Sequence, residues 1–126
     1  MNLRRELVEE ECTRELFGAL RELESWLHER GLWRKTACAT QRDYVEGPER
    51  NEFRRLMATV ADGIVDSIYV LIGMGGEMGL DLSEVWRRVH AANLAKVGGP
   101  VREDGKSLKP PGWIAPDIES AIFKTP

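Results

Sequence analysis

Asp62 and Asp66 stand four residues apart in the apolar stretch ADGIVDSIYVLIG, residues 61–73. A helix carries positions i and i+4 on one face, so both carboxylates share a side that Tyr69, Val70 and Gly73 continue. Burying a carboxylate without compensation costs several kcal/mol, so these side chains need a purpose. Glu11 and Glu15 repeat the spacing in LVEEECTREL, residues 7–16, in or beside an apolar sector. Two acidic pairs converging on one point repel and raise each other's pKa unless a cation lies between them. Hard oxygen ligands of this kind suit Mg2+ or Mn2+, which keep positions open for water and phosphate. Glu10 points more nearly outward, and Glu9 and Glu10, acids early in a helix, complement its dipole on a solvated face. Asp62 could instead cap a break or pair with an arginine.

A second group lies in EVWRRVHAANLAKV, residues 84–97. Asn93 and Lys96 fall on the face of Val85 and Val89, with His90 at its edge, and suit contacts to phosphate or base. A structural histidine and a lysine snorkelling at a helix end are the plainer alternatives. Arg102, Lys106 and Lys109 follow among glycines and prolines, where cations and backbone N–H groups can approach a triphosphate. Trp113, Ile114 and Ile118 should dock this segment rather than leave it solvated.

Helices must position these groups. Leu3, Leu7, Val8, Leu16, Ala19, Leu20, Leu23 and Leu27 recur at helical spacing, predicting a first helix from about residue 3 to Glu29, ended near Gly31. Residues 32–50 lack periodicity and predict a loop, with room for a short helix. Asn51 is a good N-cap for a second helix reaching about Met78, with Phe53, Met57, Val60, Ala61, Ile64, Ile68 and Leu71 as its inward stripe. Gly73, Gly75 and Gly76 should weaken its end or allow close packing. DLSE offers Asp81 and Glu84 as a capping box for a third helix to about Val97, with Leu82, Val85, Trp86 and Val89 inward. Beyond Gly98 lie five of the six prolines, predicting an extended tail. No strand alternation occurs. The fold class is all-α: one domain over 1–126, a helical core over 1–97 and a tail over 98–126, completed as a bundle by a partner subunit.

Composition narrows the rest. The chain is 31% charged yet has a net charge of only -3, giving no general attraction to a nucleic-acid polymer or an acidic membrane. Cys12 and Cys38 make neither a disulfide framework nor a metal-ligand spacing. The charged start lacks the apolar core of a signal peptide, and no apolar run is expected to reach the roughly 20 residues of a membrane span. A cytoplasmic protein is expected, in the host cytoplasm if phage-encoded.

LVEEECTREL, ADGIVDSIYVLIG, EVWRRVHAANLAKV and GPVREDGKSLKPPGWIAPD, in this order, resemble the MazG/HisE-type all-α nucleoside triphosphate pyrophosphohydrolases, over most of the chain except residues 28–50. The family pattern is Glu-Glu-x-x-Glu on one helix and Glu-x-x-Asp on the next. This chain departs from both. With Glu11 first, Cys12 takes the second place and Glu15 the third; with Glu10 and Glu11 first, Arg14 takes the third. Gly63 stands where the second motif has its glutamate, leaving Asp62 to substitute from one residue earlier.

The resemblance implies hydrolysis of a (d)NTP between its α and β phosphorus atoms. It implies two or three Mg2+ or Mn2+ ions per site on Glu11, Glu15, Asp62 and Asp66, with Glu11 or Glu15 as catalytic base. His90, Asn93, Lys96, Arg102, Lys106, Lys109 and Trp113 would bind substrate, the tail closing over the phosphates. A homodimer or homotetramer is implied too. The HxxNxxK helix and GKxxKPxxW tail are most similar to the small phage and actinobacterial MazZ-type branch, which implies (d)GTP, with a purine stacked on Trp113 or another tail side chain. The alternatives are a phosphoribosyl-ATP pyrophosphohydrolase and a helical nucleotide-binding module without catalysis.

Overall fold

The structure is a computed structural model that describes residues 2–32 and 47–123. Cys38 and residues 33–46 of the expected loop lie outside the described residues. The described chain is helical, with no strand and one isolated antiparallel bridge, Val101 to Ser107. It divides into two compact units, Met1–Met74 and Gly75–Pro126.

The first unit opens with one helical run that changes its winding. Helix α1 (Asn2–Val8) passes into a π-helical segment, Glu9–Leu16, which passes into α2 (Phe17–Glu29). Length and end match the sequence expectation. The change of winding does not follow from periodicity, which assumes a constant 100° per residue. Gly31 closes the run with φ 64°, a left-handed conformation that glycine adopts without steric penalty.

Helix α3 (Glu49–Glu77) begins two residues before the expected start. Asn51 is therefore not the N-cap. Pro48, whose fixed φ suits a helix entry, and Glu49 in the first turn start the helix earlier. Trp26 and Leu27 of α2 and Phe53 and Leu56 of α3 form the buried core, with Leu23, Leu32 and Met57 packed against it. The Trp26 and Phe53 rings lie 5.8 Å apart, and the Arg30 guanidinium covers Trp26 at 4.2 Å while its Nε donates to Glu49 at 3.0 Å.

Onward from this core the buried line of α3 is Phe53, Leu56, Val60, Gly63 and Ser67. The predicted stripe is thus corrected in part: Ala61, Ile64, Ile68 and Leu71 are exposed. Both sides of α3 are apolar, so hydropathy weights the branched residues and passes over the small Gly63 and Ser67 that allow close approach. The glycine-rich end stays helical to Glu77. A Cβ at Gly75 would lie 2.4 Å from the Leu82 side chain, so close packing explains that glycine; a Cβ at Gly73 would meet only the movable end of Arg4, and one at Gly76 would meet open space.

The expectation of no membrane-length run is also corrected. Within α3 an 18-residue window has a mean hydropathy of 1.6, long and apolar enough by composition to cross a bilayer. Every such window with at most two charges includes Asp62 and Asp66. Carboxylates at mid-span are expensive in lipid.

In the second unit Asp81 caps α4 (Leu82–Leu94), its Oδ1 accepting from the Glu84 N–H at 3.1 Å. Glu84 also accepts from Arg87 and Arg88, which holds its carboxyl down to about 2. The helix ends at Leu94 rather than Val97. Short-range bonds from Lys96 to Asn93 O and from Val97 to Leu94 O tighten the chain, and Gly98 turns it at φ 82°. Leu82, Val85, Val89 and Ala92 are half-buried, but Trp86 is 72% exposed, so its expected inward position is corrected. It lies about 100° around the helix from Val85, on the side of His90 and Asn93.

The tail folds back on α4. A tight turn between Val101 and Ser107 includes Gly105 at φ 86°. Trp113 Nε1 donates to Ala92 O at 2.8 Å, and Arg88 Nη1 donates to Asp117 O at 2.6 Å and to Ser120 Oγ at the start of α5 (Glu119–Ile122). Trp113 and Ile118 dock as expected; Ile114 is 84% exposed and does not.

Candidate functional site

In the first unit the π segment and α3 bring Glu11, Glu15 and Asp66 together, with one carboxylate oxygen from each within 4.8 Å of the others. Glu11 is half-buried, and its Oε2 is fully buried with no hydrogen-bond partner. Desolvation pushes the Glu11 carboxyl above the ordinary glutamate range, and the charges of Glu15, Asp66 and Glu10 push the same way. A buried acceptor without a donor, among like charges, is a poor arrangement for an empty acidic surface and a good one for a cation. The donor set fits a hard divalent ion. Asp62 is exposed and stands outside this group.

The two departures from the family pattern meet at this point. With Glu10 and Glu11 as the first two glutamates of Glu-Glu-x-x-Glu, Glu15 comes one residue late; with Glu11 as the first, Glu15 is in place and Cys12 stands second. A π-helix, bonded i to i+5, is the winding that takes up an additional residue. Ser67, buried on α3, holds the segment by donating to Glu11 O at 3.4 Å. Opposite the same segment, a Cβ at Gly63 would lie 3.2 Å from Leu16 Cα. The place of the missing glutamate is where two backbones come close, so any side chain there requires the Leu16 segment to shift by a few tenths of an ångström. Sequence reading missed Gly63 and Ser67 as supports; the small residues at i and i+4 on α3 were the available signal.

The second unit gathers other expected residues. Lys96 Nζ donates to Asn93 Oδ1 at 3.1 Å, and Lys96 and Lys109 each lie 4.9 Å from the centre of the Trp113 ring. The Trp113 ring thus holds two ammonium groups, and its indole N–H is engaged with Ala92. His90 lies apart from these, nearly parallel to Trp86 at 11° with centroids 6.3 Å apart. Arg102 is paired with Asp104, Nε to Oδ1 at 2.9 Å, and holds that carboxyl below its usual range. Lys106 is exposed, its backbone N–H donating to Asp104 at 3.2 Å.

The profile of the phosphoribosyl-ATP pyrophosphohydrolase family matches residues 1–93. The chain belongs to this family. The phosphoribosyl-ATP pyrophosphohydrolase family lies within the MazG-like all-α NTP pyrophosphatase superfamily, so the chain is a hydrolase of a phosphoanhydride bond in a nucleotide. The family match includes the three clustered carboxylates, His90 and Asn93, and ends before Lys96, Arg102, Lys106, Lys109 and Trp113. No curated protein matches the chain.

Proposed function

We propose that the protein is a metal-dependent pyrophosphohydrolase that cleaves (d)NTP, with guanine nucleotides preferred, to (d)NMP and pyrophosphate in control of the nucleotide pool. The observation that carries this reading is the Glu11, Glu15 and Asp66 cluster with its buried, partnerless oxygen. Mg2+ or Mn2+ held there would neutralise phosphate charge and acidify a water molecule. Asp66 and Glu11, the latter with the buried oxygen, are the ligands best supported; Asp62 would have to turn inward to join them. Glu15, exposed at the rim of the cluster, is the carboxylate best placed to accept the water's proton. Lys96, Lys106 and Lys109 would balance charge on the phosphates.

The base preference is supported by Asn93. An ammonium only donates, so the contact from Lys96 engages the amide oxygen and leaves the two Nδ2 protons for a ligand. Two donors suit the O6 and N7 acceptors of guanine better than the mixed edge of adenine. A panel of dGTP, GTP, dATP, dCTP, dTTP and phosphoribosyl-ATP, with products identified, tests the proposal. The guanine nucleotides are expected to exceed dATP in kcat/KM by roughly tenfold or more. Preference for a pyrimidine removes the guanine assignment, turnover of phosphoribosyl-ATP alone assigns the family's own reaction, and no turnover leaves a binding module.

A homodimer or homotetramer belongs to the same proposal. Ile64, Val65, Ile68, Tyr69 and Ile72 of α3 are between 44% and 78% exposed, and Phe17 of α2 is 51% exposed. A contiguous apolar face of this kind marks an association surface. Sedimentation at micromolar concentration is expected to give at least a dimer, and Ile68→Glu to shift it toward monomer. A fully active 14.3 kDa wild-type monomer would refute the assembly.

A further inference from the structure

We propose that Trp86, backed by His90, is the platform on which the purine base of the nucleotide stacks; this rests on the pyrophosphohydrolase reading above. Trp86 is 72% exposed on α4, an unusual position for the largest side chain unless something flat covers it. The His90 ring lies nearly parallel to it, at 11° and 6.3 Å between centroids, which limits the rotamers of both and holds the indole ready. Trp113, the other described tryptophan of this unit, is unavailable: its ring contacts two ammonium groups and its N–H is bonded.

The chemistry along α4 is graded in one direction. Trp86, His90 and Asn93 follow at i, i+4 and i+7 on one exposed side, and Asn93 is joined directly to the Lys96 ammonium at 3.1 Å. Stacking ring, hydrogen-bonding amide and cation occur in the order of base face, base edge and phosphate in a nucleotide. Within α4 the rise from Trp86 to Asn93, whose amide holds the Lys96 ammonium, is about 10 Å at 1.5 Å per residue, on the scale of the distance from a base to its phosphates. A nucleotide has a partner for each of these groups: a base face for the ring, a base edge for the amide and a phosphate for the ammonium.

The test compares Trp86→Ala and Trp86→Phe in the full chain, using dGTP as substrate and inorganic tripolyphosphate as a base-free inhibitor. Loss of the stack should raise the KM for dGTP roughly tenfold or more, with kcat within about threefold, since base–aromatic stacking has that magnitude on alanine substitution. The inhibition constant of tripolyphosphate should hold within about twofold, and Trp86→Phe should restore most of the affinity. An unchanged KM, or an equal loss for tripolyphosphate, overturns the proposal. So does a Trp86→Ala protein that sediments as a smaller species than wild type, because the indole then belongs to a subunit contact. Calorimetric titration with dGMP separates this inference from the hydrolase reading. If wild type turns over no nucleotide yet binds dGMP in a Trp86-dependent way, the platform stands without the reaction; if dGMP does not bind at all, the platform falls.

Discussion

Asp66→Asn is expected to reduce turnover roughly 10³-fold or more with helicity unchanged, because it removes a charged ligand from a cluster that would supply several kcal/mol of transition-state stabilisation. EDTA should do the same to the wild type, reversibly. Asp62→Asn is the informative comparison. Its carboxylate is exposed and outside the cluster, so a loss below about threefold is expected, well within the range of surface substitutions. An equal loss in both variants would mean that Asp62 is recruited when metal binds. Metal affinity should also depend on pH in a definite direction. Glu11 holds its proton to a higher pH than an ordinary glutamate, and a ligand carboxylate must be deprotonated. Binding should therefore weaken as pH falls through that raised value and should release protons to buffer. Full activity in EDTA would sink the metal assignment.

Gly63→Glu is expected to be nearly as damaging, although it writes the family's Glu-x-x-Asp pattern into α3. The added Cβ would lie 3.2 Å from Leu16 Cα and 3.5 Å from its side chain, with the rest of the glutamate still to be placed. Overpacking of this kind costs about 1–3 kcal/mol, and here the strain falls on the segment that carries Glu11 and Glu15. The expected result is a fall in kcat/KM of roughly 10²-fold and in Tm of about 5 °C or more. Gly63→Ala should be intermediate, since a shift of a few tenths of an ångström relieves it. A more active Gly63→Glu protein would show that the family spacing, and not the π winding, governs the cluster.

Much of this arrangement is legible in the residues themselves. The acids at i and i+4 in apolar surroundings single out four carboxylates, of which Glu11, Glu15 and Asp66 cluster and Asp62 stands apart, and the Asp81 cap and the Glu29 end of the first helical run follow from local chemistry. What escapes is anything that depends on which of two plausible faces is used. On α3 the branched residues Ile64 and Ile68 outweigh Gly63 and Ser67 in any hydropathy pattern, yet the small pair marks the packed side. On α4 an exposed Trp86 reads as core because its size and apolarity are those of a core residue. The π segment is invisible for a different reason: periodicity assumes a constant winding, whereas the contacts of Ser67 and Gly63 with this segment come from a helix some fifty residues away.

The return of the tail to α4 has a kinetic meaning. The stretch between Lys96 and Trp113 is closed at one end by the helix it leaves and at the other by the indole bonded to Ala92. The Arg88 contacts to Asp117 and Ser120 clamp the chain again beyond that point. It is a closed loop rather than a free arm, and closing a loop removes chain entropy when the protein folds. Lys96 and Lys109 therefore come to a ligand already gathered around one ring, so little further ordering opposes capture of an anion by this pair. Association with such a ligand would be governed by diffusion and charge, and its salt dependence would report the two ammonium groups directly.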